Sequence, residues 1–417
     1  MRPLSDLMSL TEAQRRVLDA VRPLEPVRVG LWDAHGLALA EPVVASEDVP
    51  PFRNSAMDGY AVRSEDTRGA PVELRVVGDL PAGHAPTVPV TGGTAVRIMT
   101  GAPLPEGADA VVRVEDTEPL GDRVRILTEV APGTAVRPAG GDVAEGTLVF
   151  EAGTRLRSLH LGVLATLGVT SPTVRRRPRV GIMSTGDEVQ PPEVSVLRPG
   201  WIRDANRPLL HGLLAELEVE IHDFGIVPDQ PALLRSSLAR AAERCDLVIT
   251  SGGVSMGDYD VVKQVVTDVG DVELWRIAIQ PAKPFAFGEL AGVPFFGLPG
   301  NPVSVFVAFE QLVRPAVLAM MGSTRLFRPQ VVGVLDEAID TDPAKTVFVR
   351  VATTYRERTF HARSTGSQFS NVLSATALAD AFAVVPVGVS RVDEGEEVVL
   401  EMFGWPESRT REEVLRG

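Results

Sequence analysis

Cys245-Asp246-Leu247-Val248-Ile249-Thr250-Ser251-Gly252-Gly253-Val254-Ser255-Met256-Gly257-Asp258-Tyr259-Asp260 is a short apolar run that ends in a glycine-rich turn and two aspartates. An amphipathic run starts at Val261. The pattern reads as a buried strand, a loop and a helix N-terminus. Glycine lets backbone N–H groups approach a ligand closely, and a helix N-terminus carries partial positive charge. The turn therefore suits an anion such as phosphate, with Ser251, Gly252, Gly253, Ser255 and Gly257 as candidate contacts. Asp258 and Asp260 suit a divalent cation that neutralises the anion, or a polar group elsewhere on the ligand. A tight turn with two solvated acids is the plainer explanation. It accounts poorly for two serines, three glycines and two acids crowded at one strand end.

Outward from this stretch, apolar runs at 180–184, 220–226, 247–250, 274–279, 284–287 and 295–298 read as strands. Helical patterns at 208–217, 230–244, 261–269 and 302–320 alternate with them. Such alternation predicts a doubly wound, mostly parallel sheet, whose ligands sit at the carboxyl ends of the strands. The loops 185–188, 251–260 and 299–301 fall there. In Thr185-Gly186-Asp187-Glu188 two acids follow a strand end. In Pro299-Gly300-Asn301-Pro302, Gly300 makes the turn, Asn301 is expected to cap the helix and Pro302 suits its first position. Those roles explain most of the motif without a ligand. Lys283 lies between Pro281 and Pro284, stiff flanks that aim it, and it is a candidate oxyanion contact.

Upstream, Thr11-Glu12-Ala13-Gln14 reads as a capping box opening a helix to about Val21, and a second helical pattern covers 158–167. The two are expected to pack together. Between them, strand candidates at 74–77, 93–99, 110–114 and 123–127 suggest a small β-rich insert. The segment from Pro50 to Val62 reads as a loop with one acid, Asp58. Met99–Pro103 and Arg137–Asp142 read as turns carrying Thr100 and Asp142. Downstream of Pro329, strand candidates at 331–335, 347–353, 360–362, 381–386 and 397–401 predict a small barrel or sandwich. There Arg350 and the hydroxyl-rich turn 364–371 form a second oxyanion candidate. The expected class is thus multi-domain α/β plus β. A discontinuous N-terminal domain with helices spans 1–46 and 139–176, and a β-rich insert spans 47–138. The α/β domain spans 177–326 and a C-terminal β-barrel-like domain 327–417.

Composition narrows the partners. The chain has 417 residues, a formal charge of −14 and one cysteine, Cys245. The longest basic cluster, Arg175-Arg176-Arg177 with Arg179, lies at an expected domain junction, so nucleic acid is not an expected partner. One cysteine excludes an intrachain disulfide framework, and Cys245 is expected to be a small buried hydrophobe. There is no basic-then-apolar leader and no apolar run read as a membrane span, so a cytoplasmic location without membrane association is expected. No Gly-x-Ser-x-Gly elbow, Cys–His pairing, Walker loop or dinucleotide fingerprint stands out.

Seven motifs occur in a telling order: PPFRNSAMDGYAV (50–62), MTGAP (99–103), RPAGGD (137–142), STGDE (184–188), TSGGVSMGDYD (250–260), AKPF (282–285) and LPGNP (298–302). In this order and over nearly the whole chain they resemble the molybdopterin molybdenumtransferase family, which includes the E domain of gephyrin. The resemblance implies an elongated four-domain homodimer whose cleft uses both subunits. It implies that adenylylated molybdopterin and molybdate give molybdenum cofactor, AMP and water, with a divalent metal such as Mg²⁺. It places Asp58, Thr100, Asp142, Glu188, Asp229 and Asp260 in the catalytic set, with Glu188 and Asp260 nearest the metal. It places Lys283, Arg350 and Ser370, with Pro299, Gly300 and Asn301, among the substrate contacts. It also points to two kinds of protein partner, the molybdopterin adenylyltransferase of the preceding step and acceptor molybdoenzymes. One departure stands out. The family often carries Lys-Pro-Gly-Lys-Pro where this chain has Gln280-Pro281-Ala282-Lys283-Pro284, so one cation is missing. Two other classes are kept beside this reading: an ATP-dependent molybdopterin adenylyltransferase and a non-catalytic cofactor-binding scaffold.

Overall fold

The computed structural model describes residues 7–253, 261–405 and 411. By contact the chain divides into two compact units, one of residues 1–27, 36–40 and 173–417, the other of 28–35 and 41–172. The 158–166 helix thus falls in the second unit and the first helix in the first, whereas the sequence reading had grouped them.

The first unit holds a six-stranded sheet in the order Glu220–Val227, Arg179–Thr185, Leu247–Ser251, Val293–Leu298, Pro284–Leu290, Asp271–Arg276. The first four strands pair in parallel and the last two antiparallel. Leu247–Ser251 is buried at every position, as a central strand covered on both faces must be. Helices Pro231–Arg244 and Val261–Val269 close one face through Leu234, Leu238, Val262 and Val266. Cys245 lies in that core at 4% exposure, and burial pushes its thiol up to about 11. Its neighbour Asp246 ties the Arg cluster down. Burial alone would raise its pKa, but hydrogen bonds from Arg176 and Arg179 outweigh that and hold it ionised.

The helix Pro302–Met320 is α-helical over Pro302–Ala308, passes through a π turn at Phe309–Val313 and resumes over Arg314–Met320. The wider turn coincides with Pro315, which has no N–H to donate and whose ring crowds the preceding turn. These 19 residues are long and apolar enough to cross a membrane, contrary to the sequence reading. They form a core helix here, 89% buried. Helix Leu10–Ala20 packs on its C-terminal half. The cap of that first helix is Ser9, whose hydroxyl accepts the Glu12 N–H at 3.2 Å, two residues before the expected Thr11.

A closed five-stranded barrel completes this unit: Thr346–Arg356, Thr359–Ser364, Gln330–Leu335, Glu397–Met402 and Ala381–Val385, the last returning to the first. Phe306 of the core helix stacks against Phe382 of the barrel at 5.3 Å. Ile279–Gln280 leaves the α/β sheet to pair in parallel with Thr346 and Val347 of the barrel. The sequence reading had run a single strand through to 279.

The second unit is built on a six-stranded sheet in the order Ala110–Arg113, Gly59–Val62, Thr94–Ile98, Val72–Leu80, Arg123–Ile126, Thr117–Leu120. Gly59–Val62 was read as loop and is an interior strand. Tyr60 and Val62 enter one core and Ala61 another, so the strand is buried on both faces and shows no alternation. Gly59 is required by close approach, because a Cβ there would lie 2.9 Å from the Arg113 Cα. Helix Ser158–Thr166 packs on the short turn Leu31–Asp33.

Candidate active site

A cleft of about 880 Å³ opens at the carboxyl ends of the parallel strands in the first unit. Ten of the expected residues line it: Glu188, Asp229, Ser251, Gly252, Gly253, Lys283, Pro299, Gly300, Asn301 and Ser370. The expected Ser255, Gly257 and Asp260 lie outside the described residues, as does Asp258.

The loops around the cleft are tied together. Ser184 Oγ donates to Asp204 Oδ1 at 2.9 Å and lies 3.1 Å from Ser251 Oγ. Thr185 Oγ1 donates to the Ser251 carbonyl at 3.3 Å. The Asp229 N–H donates to Asp187 Oδ1 at 3.0 Å, so Asp187 joins two strand ends and Glu188 is the acid of that pair on the cleft wall. Two glycines allow this closeness. Gly252 has φ +89°, and a Cβ there would sit 2.7 Å from the Thr185 carbonyl. Gly186 has φ +136°, a backbone conformation that side chains rarely adopt.

Three expectations change. The Gly252 N–H does not point to an anion; it donates to the Leu298 carbonyl at 3.1 Å and welds the glycine turn to the Pro299–Asn301 loop. Asn301 occupies the N-cap position with Pro302 next, but its side chain makes no cap bond. Asn301 Nδ2 reaches across to Ser370 Oγ at 2.9 Å instead. Arg350 does not reach the cleft as an oxyanion ligand. It is 1% exposed, and its guanidinium points at the carbonyls of Phe348, Ser367 and Phe369 at 3.4–3.5 Å. Burial pushes it down to about 10. Its role here is to hold the 367–370 turn from behind.

Asp204, Asn206 and Lys345 also line the cleft and were not singled out from sequence. Asn206 Nδ2 donates to the Gly300 carbonyl at 2.7 Å. Asp204 Oδ1 accepts the Arg207 N–H at 3.1 Å, a helix-capping contact whose signal is the Asp-Ala-Asn before a helical run. That run begins at Asn206 rather than the expected 208. Among the described residues no group of three His, Cys, Asp or Glu side chains could hold a metal by itself.

The upstream candidates belong to the second unit. Asp58 is exposed, and its Oδ1 accepts the Thr100 N–H at 2.7 Å and the Thr100 hydroxyl at 2.8 Å. The Thr100 N–H first, and then its hydroxyl, hold the Asp58 carboxyl below the usual carboxylate range. The Gly101 N–H donates to the Ser55 carbonyl and the Gly140 N–H to the Pro50 carbonyl, so the 99–103 and 137–142 segments are each tied to the 50–62 segment. Asp142 is exposed.

A molybdopterin molybdenumtransferase of Mycobacterium tuberculosis is 39% identical over 402 residues, which is 94% of this chain and 98% of the relative. The chain belongs to the molybdopterin molybdenumtransferase family. Three family profiles match along it: the MoeA N-terminal region, domains I and II, over residues 8–168; a probable molybdopterin binding domain over 181–319; and the MoeA C-terminal region, domain IV, over 332–403. The Haemophilus influenzae molybdopterin molybdenumtransferase is 37% identical, covering 95% of this chain and 99% of its own length. The crystal structure of a molybdopterin biosynthesis MoeA protein from Pyrococcus horikoshii superposes with a TM-score of 0.84. It is 31% identical, covering 95% of this chain and all of that one. The cleft lies within the part matched as molybdopterin binding, except for its barrel wall at Lys345 and Gln368–Asn371.

Proposed function

We propose that this chain inserts molybdenum into adenylylated molybdopterin, with molybdate as second substrate and AMP and water as the other products. The observation that carries the reading is the convergence of Glu188, Ser251, Lys283, Asn301 and Ser370 on one cleft, in a chain that matches its family over nearly its full length. Molybdate is a dianion, so its first contacts are cations and hydroxyls. Lys283 and the Ser370 hydroxyl are suited to it, and Arg350 keeps the Ser370 turn in place. Glu188 and Asp229 carry like charge to both substrates and are suited to a cation or to the pterin. Mg²⁺ typically takes one or two protein carboxylates plus substrate phosphates, which fits one acid at a strand end better than a closed cage. Glu188, with Asp260, would hold it. When bound it would neutralise the diphosphate linkage as the phosphoanhydride breaks.

Asp58, Thr100 and Asp142 complete the site, in our reading, from the second unit of a partner copy in a homodimer. The alternatives are less well supported. An adenylyltransferase needs neither the β-rich second unit nor the barrel wall of the cleft. A scaffold needs no ionised, oriented Asp58. The test is to supply adenylylated molybdopterin and Mg²⁺ and follow AMP with and without molybdate. Molybdate-dependent AMP release is expected. AMP formation from ATP with no dependence on molybdate would overturn the reading.

A further inference from the structure

Besides Lys283, the cleft wall carries two further cations, Lys345 and Arg203. Lys345 precedes the barrel strand Thr346–Arg356, and Lys283 precedes the sheet strand Pro284–Leu290; both line the cleft. They are brought there by the parallel pairing of Ile279–Gln280 with Thr346 and Val347, and by the Thr346 N–H donating to the Ala278 carbonyl at 2.9 Å. Lys345 Nζ donates to Asp342 Oδ2 at 2.6 Å and to Gln280 Oε1 at 3.3 Å, and its side chain is 20% exposed. An ammonium has three donors, so a third N–H remains beyond these two contacts. The Asp342 carboxyl is held below the usual range chiefly by the Lys345 hydrogen bond, and the Lys283 charge adds to that, so both ammonium groups act on one point. Arg203, on the same cleft, gives N–H groups to the carbonyls of Val194 and Ser195, and the terminal nitrogens of the buried Arg350 face the carbonyls of Phe348, Ser367 and Phe369. A tetrahedral dianion entering a half-buried cleft that also holds Glu188, Asp204 and Asp229 needs more than one positive charge.

We propose that Lys345 and Lys283 together form a two-lysine site for a tetrahedral oxyanion, and that Asp342 is the counter-ion the oxyanion displaces from Lys345. The inference deepens the function proposed above and rests on it for the identity of the substrates. Two sources share this chemistry: molybdate and the diphosphate of the adenylylated ligand. Lys345→Ala, Lys345→Arg and Asp342→Asn in the full-length protein separate them. Calorimetric titration with molybdate, and separately with inorganic pyrophosphate, reads binding without turnover. Lys345→Ala is expected to weaken one of the two anions about tenfold or more, Lys345→Arg to stay within a few-fold, and Asp342→Asn to tighten the same anion. At steady state, a raised KM for molybdate with an unchanged KM for adenylylated molybdopterin assigns the site to molybdate. The converse assigns it to the diphosphate. Unaltered binding of both anions in Lys345→Ala, with unaltered KM values, would overturn the proposal. If the wild type lacked molybdate-dependent AMP release yet lost anion binding on Lys345→Ala, the function reading would fail and the oxyanion site would stand.

Discussion

The two units carry their motifs differently. In the first, the sheet-end loops and one barrel turn enclose a cleft, and several polar side chains on its wall are also struts: Ser184 to Asp204, Asn206 to Gly300, Asn301 to Ser370. In the second, Asp58 is exposed, oriented and kept ionised by Thr100 at the start of an interior strand of a well-packed sheet. One unit invests its residues in shape, the other in the direction of a single carboxylate. A binding cleft tolerates the loss of one strut better than an oriented charge tolerates its own removal. That asymmetry is open to test by mutation.

The largest effect is expected at Asp58. Asp58→Asn should lower kcat by roughly 10²- to 10⁴-fold with the denaturant midpoint unchanged, because the side chain supports no packing. A kcat within a few-fold of wild type would remove Asp58 from the machinery. Next is Arg350→Met. Leaving the carbonyls of Ser367 and Phe369 without their partner should cost about 1–3 kcal/mol of stability and raise the KM for molybdate through the Ser370 turn. A stability change without any KM change would make that turn a bystander. Thr100→Val removes the hydroxyl donor but not the N–H. The Asp58 pKa should therefore rise towards its ordinary value, shifting the acid limb of the rate profile to higher pH, with a loss of about tenfold or less at neutral pH. The smallest effect belongs to the stiff lysine turn. Ala282 sits at φ +80°, where a side chain costs about 1–2 kcal/mol and glycine costs nothing. Ala282→Gly relieves that strain but loses a buried methyl and adds glycine's entropy cost, so stability should change by less than about 1 kcal/mol in either direction. Thermal midpoints would show this, and a loss well beyond about 1 kcal/mol would mean that the turn is not strained.

The same contrast governs what was readable from sequence. Strands and helices of the α/β sheet alternate with clear periods, so their bounds were legible to within a few residues. Gly59–Val62 was not, because a strand buried on both faces does not alternate. Nor was Thr117–Leu120, an edge strand with three exposed residues and a proline that an interior strand would not accept. In the site, residues at strand ends were legible because a parallel sheet dictates where loops gather. Lys345 was hidden, because it reaches the cleft only through the pairing of 279–280 with 346–347. For Arg350 and Asn301 the residue types suggested ligands or caps, and only tertiary partners showed them holding other loops.

The central claim is that the cleft of one copy works with the Asp58 surface of another. Mixing two inactive full-length variants, Asp58→Asn and Glu188→Gln, tests it most directly. After random re-pairing, half the dimers would carry one chain of each kind, and each such dimer would have one site with both native acids. The account predicts recovery of about a quarter of wild-type molybdate-dependent AMP release. Activity that stays at the level of the separate variants, with exchange of chains demonstrated, would contradict it.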